Sequence, residues 1–91
     1  MTTEKFACPC CGYKTYPEKP DGDYGICPVC FWEDDPIQFN NPDYKGGANR
    51  PSLRQAQRNF AEFGVCNREV IQYVRKPTDD EQRDDNWKPL D

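Results

Sequence analysis

The chain has 91 residues, 35% apolar and 31% charged, with nine prolines, six cysteines, no histidine and a formal net charge of −4. Leu, Ile, Val and Phe supply only 14 residues, so this is one small domain that a hydrophobic core alone does not hold. The arithmetic excludes a large enzyme fold, and the lack of histidine excludes a Ser-His-Asp or Cys-His catalytic arrangement within the chain.

In chain order, Met1–Phe6 has neither a basic start nor an apolar run, so no signal peptide is expected. No stretch approaches the roughly 20 apolar residues of a membrane span, and the expected location is cytoplasmic. Cys8-Pro9-Cys10-Cys11 and Cys27-Pro28-Val29-Cys30 form a paired local motif in a region of prolines, glycines and aromatics that reads as short strands and loops. Gly12 follows the first pair and can take a positive φ. Phe31 stands at the matching place after the second, which predicts a differently shaped turn there. Trp32-Glu33-Asp34-Asp35 comes next. It is a candidate partner-binding run with Trp32 as anchor, and its simpler reading is an aromatic packed on the cysteine turn beside solvated charge. Gly46-Gly47-Ala48-Asn49-Arg50 reads as a flexible turn. Without a Gly-Lys-Ser/Thr ending, a phosphate-binding role is weakly signalled.

The spacing predicts a helix over Leu53–Phe63, with Ser52 as N-cap, Gln55 completing a capping box and Gly64 as the stop. Leu53, Ala56, Phe60 and Phe63 make its apolar stripe, expected to dock on the cysteine region. Arg50, Arg54, Arg58 and Arg68 read as charges paired with acidic neighbours on an exposed face. A second short helix is expected over Glu69–Val74, capped by Asn67, with Val70, Ile71 and Val74 buried. A strand is the rival reading there. Residues 1–76 are thus expected to form one domain, and residues 77–91, with six acidic against two basic residues, an acidic C-terminal tail.

Fifteen residues separate Cys11 from Cys27, giving Cys-x2-Cys-x15-Cys-x2-Cys, the spacing of a four-thiolate metal site. Two cysteines three apart in a tight turn aim both sulfurs at one ion, and a second turn supplies the other two. Cys8, Cys11, Cys27 and Cys30 are the expected ligands and Zn2+ the expected ion. Iron is the alternative, because rubredoxin-type sites use the same paired turns. With four cysteines no coordination position is left for water, so the site reads as structural and the protein as not an enzyme. Cys10 is left open between ligand exchange and a free thiol beside the metal. Cys66 reads as a small buried apolar residue.

Cys8-Pro9-Cys10-Cys11-Gly12-Tyr13, Ile26-Cys27-Pro28-Val29-Cys30-Phe31-Trp32-Glu33-Asp34-Asp35, the Asn49–Gly64 region and Tyr73-Val74-Arg75-Lys76-Pro77 together resemble the cysteine-rich CPCC family of small bacterial proteins. The resemblance implies a zinc-ribbon-like metal module with a helical extension, and in some members a link to toxin immunity. The expected fold is small α+β: a zinc-ribbon/rubredoxin-like knuckle unit with short antiparallel strands and one or two C-terminal helices. The expected function is a non-catalytic, zinc-stabilised protein-binding module. Its partner is expected to be a basic protein such as a cognate toxin, which the acidic balance suits. The alternatives are a nucleic-acid-binding zinc ribbon, suggested by residues 46–76 with net charge +4, and a rubredoxin-like iron electron carrier.

Overall fold

The computed structural model describes residues 5–20 and 22–90. Residues 1–4, where no leader is expected, Asp21, and Asp91 at the end of the acidic segment lie outside the described residues. Two strands, β1 (Phe6–Ala7) and β2 (Lys14–Tyr16), pair antiparallel with Phe6 opposite Tyr16 and Ala7 opposite Lys14. An irregularity interrupts the register between Phe6 and Ala7. The strands flank the first cysteine turn, so their pairing fixes where that turn points. Two isolated bridges, Tyr13 with Arg83 and Ile26 with Glu33, extend the pattern.

A short helix, α1 (Pro36–Asn40), was not foreseen, being too short for a hydrophobic period to show. Its signal is Asp35-Pro36, an N-cap carboxylate followed by proline at the first helical position. Asp35 Oδ1 accepts from Ile37 N at 2.8 Å and Gln38 N at 3.4 Å. The long helix, α2 (Leu53–Phe63), has the expected limits. Ser52 Oγ accepts from Gln55 N at 3.1 Å, and Gly64, at φ 78°, returns its N–H to Phe60 O at 2.8 Å. Only the Ser52 half of the expected capping box forms, because the Gln55 side chain donates to Asn59 instead. Leu53, Ala56 and Gln57 are buried and Phe60 packs against the core. Phe63 is half-buried beneath the Arg68 guanidinium, 4.9 Å from its ring.

The segment expected as a second α-helix is a 3-10 helix, Arg68–Tyr73, bent at Val70. Asn67 caps it by accepting from Glu69 N. Of the face expected to be buried, Val70 packs on the core, Val74 is half-buried and Ile71 is 53% exposed. With three residues per turn, positions 70 and 71 lie about 120° apart and do not share a side, and Val74 is the extended residue that ends the helix.

The core is largely sulfur. All six cysteines are buried, and together with Tyr16, Val29, Trp32, Leu53 and Ala56 they form one cluster. The described residues thus form two antiparallel strands, short helices and a buried four-cysteine cluster, consistent with a knuckle-type metal module. Among the described residues no helix is long and apolar enough to cross a membrane.

Candidate metal centre

Each cysteine pair sits on a tight turn built by the same two backbone hydrogen bonds. In the first, Gly12 N donates to Cys8 O at 2.8 Å and Cys8 N to Tyr13 O at 2.9 Å. In the second, Phe31 N donates to Cys27 O at 2.8 Å and Cys27 N to Trp32 O at 2.9 Å. Gly12 has φ 81° and Phe31 φ 71°. The second turn therefore keeps the shape of the first, contrary to expectation. Phe31 adopts the left-handed conformation at a cost of about 1–2 kcal/mol, which the two hydrogen bonds and ring packing offset.

These turns bring Cys8, Cys11, Cys27 and Cys30 together, with their sulfurs all within 4.8 Å of one another and all four residues buried. Cys8 Sγ lies 3.5 Å from Cys30 Sγ, and Cys11 Sγ lies 3.8 Å from Cys27 Sγ. Sulfurs placed tetrahedrally about 2.3 Å from a zinc ion lie about 3.8 Å apart, so the residues fit a four-thiolate metal ion. Thr15 Oγ1 donates to Cys27 Sγ at 3.1 Å and Trp32 N to Cys30 Sγ at 3.4 Å, contacts that orient the sulfurs and disperse thiolate charge.

Electrostatics point the same way. Burial pushes the Cys8 and Cys30 thiols well up. The Cys27 sulfur is driven far down because the Cys11, Cys30 and Cys8 thiols hydrogen-bond to it. Four thiolates in so dry a site require a positive ion, whose binding releases protons. The Tyr16 phenol, pushed up by burial, then by the Cys8 sulfur, stays neutral and lies 2.9 Å from Gly25 O and 3.0 Å from Trp32 O.

Cys10 occupies the place that Val29 holds in the second turn and is not one of the four converging sulfurs. Burial keeps its thiol protonated. Cys66 is buried too, its thiol pushed up by burial, and its N–H donates to Cys30 O at 2.8 Å.

The structure removes most of the Trp32-Glu33-Asp34-Asp35 run from the surface. Trp32, Asp34 and Asp35 are buried and Glu33 is half-buried. Asp34 Oδ2 accepts from Gly22 N at 2.8 Å and Asp23 N at 3.4 Å. Asp35 caps α1 and accepts from Ala48 N at 2.8 Å, contacts that hold its carboxyl below the usual range. These acids organise loops, which is why a charged run is internal. The same network fixes the 46–50 loop: Gln38 Nε2 reaches Asn49 O and Pro51 O, and Gln38 Oε1 accepts from Asn49 N. With Ala48 N committed to Asp35, the loop offers no open phosphate cradle.

Sequence reasoning missed the residues that cover the first turn. Arg83 Nε donates to Cys11 O at 3.0 Å, Trp87 Nε1 to Pro9 O at 3.0 Å and Gln57 Nε2 to Pro9 O at 2.9 Å. A lone tryptophan in an acidic segment was the available signal. The segment read as a tail thus packs along the cysteine turn over much of its length. Among the basic residues of 46–76, Arg50 pairs with Glu69 at 3.1 Å and Arg54 with Asp43 at 2.8 Å, while Arg68 lies over the Phe63 ring.

The family model described as Cysteine-rich CPCC matches residues 6–81, and the chain belongs to that family. No curated protein matches the chain.

Proposed function

We propose that this member of the cysteine-rich CPCC family is a non-catalytic protein-binding module with a zinc-ribbon-like knuckle fold, stabilised by one zinc ion. Cys8, Cys11, Cys27 and Cys30 hold the ion, which supplies a cross-link between the two turns and the positive charge that four buried thiolates need. The carrying observation is the set of four buried sulfurs within 4.8 Å of one another, and because four thiolates fill a tetrahedral coordination sphere this supports a structural rather than a catalytic ion. The net charge of −4 supports a basic protein as partner, and the family resemblance supports a toxin that this protein neutralises in the cytoplasm. The local pairing of Arg50 and Arg54 with acids counts against a nucleic-acid reading.

Elemental analysis of the protein purified from its native host tests the metal. One zinc per chain in a colourless sample is expected, whereas a red protein that bleaches on reduction overturns zinc in favour of iron. Capture from the same host tests the partner. One dominant basic protein, binding more weakly as salt rises, is expected, and its absence overturns the binding role.

A further inference from the structure

We infer that residues 82–90 form a strap that holds the first cysteine turn shut and sets how fast the metal leaves, with Arg83 and Trp87 as positioning residues. The inference rests on the metal reading above but concerns a segment beyond the stretch that the family model matches. Gln82 O accepts from Lys14 N at 2.9 Å, and Asp84 N donates to Gly12 O at 2.8 Å. Arg83 and Trp87 donate to the carbonyls of Cys11 and Pro9, so three carbonyls of one turn are held by the strap. The Arg83 guanidinium lies 4.9 Å from the Trp87 ring and 5.5 Å from that of Tyr13. The Trp87 ring fills the space beside Gly12, where a Cβ would stand 2.5 Å from it. Further along, Leu90 N donates to Gln57 Oε1, and Gln57 itself holds Pro9 O.

Metal release requires one turn to swing its two sulfurs away. The second turn is held from within the body of the fold: Pro28 O accepts from Arg75 N and Cys30 O from Cys66 N. The first is held in large part by residues 82–90, most of which are exposed, with Gln57 of α2 as a further holder of Pro9 O. Strap opening is therefore the easier route, and Cys8 and Cys11 are the first ligands freed.

The test uses the full-length zinc-loaded chain and follows transfer of zinc to excess 4-(2-pyridylazo)resorcinol by absorbance. Trp87→Ala is expected to release zinc about tenfold faster while still binding one ion. Trp87→Phe keeps a ring beside Gly12 but loses the donor to Pro9 O. It is expected to fall between, and it carries the test if the alanine variant does not fold. Ile37→Ala, which trims a 57% exposed side chain on α1, is expected to release at the wild-type rate. Wild-type rates in the Trp87 variants, or equal acceleration in Ile37→Ala, overturn the strap and leave the metal reading standing. A folded wild type that takes up no zinc overturns the metal reading itself, and the strap with it.

Discussion

The turns Cys8–Tyr13 and Cys27–Trp32 carry the same pair of hydrogen bonds and the same left-handed fifth residue, yet the first has glycine there and the second phenylalanine. What differs is the covering. Gly12 lies under the Trp87 ring with no room for a Cβ, whereas the half-buried Phe31 ring packs against the core and stacks on Tyr73 at 5.5 Å. The turn shape is thus imposed by its hydrogen bonds and by convergence of its sulfurs, and a non-glycine residue can meet the cost. Glycine at position 12 answers to the close approach of a distant segment.

The largest expected effect breaks the comparison altogether. Because both turns share one ion, Cys27→Ser should dissolve the first turn as well as the second. Circular dichroism is expected to show a largely unfolded chain even with zinc present. A near-native spectrum and melting temperature would show that the turns stand independently.

Next comes the contrast between the two left-handed positions. Gly12→Ala adds both backbone strain and collision with Trp87, and is expected to cost about 2–4 kcal/mol. Phe31→Ala, at a site where the strain already exists, loses only ring packing, about 1–2 kcal/mol. Urea unfolding of the zinc-loaded variants measures both, and equal losses would contradict the difference in covering.

The smallest effect probes the link between the two covers. Arg75, whose N–H holds Pro28 O, forms a two-pronged pair with buried Glu81 at 2.7 and 2.9 Å, just before the strap begins. The Arg75 guanidinium and Thr78 N–H hold the Glu81 carboxyl at about 2, against an ordinary value of 4.5. A depressed carboxyl contributes stability above its unfolded value and loses it as pH falls toward the folded one. Glu81→Gln is therefore expected to cost about 1–2 kcal/mol near neutrality. The gap in melting temperature from wild type should narrow as pH drops through 4.5. A gap that stays constant with acid would show that the pair does not act through its charge.

The sequence by itself determined the four sulfurs that converge and the limits of α2. Both are local: a cysteine pair three apart fixes its own turn, and Ser52 and Gly64 fix a helix through bonds within one turn of its ends. Only the tertiary structure decided which charges are internal, since Asp34 and Asp35 become loop organisers once the amides of Gly22 and Ala48 arrive beside them. It also decided that an acidic, polar segment covers the first cysteine turn. Trp87 and Pro9 stand 78 residues apart, and no periodicity or spacing in the chain encodes a contact between a single ring and a single carbonyl at that distance.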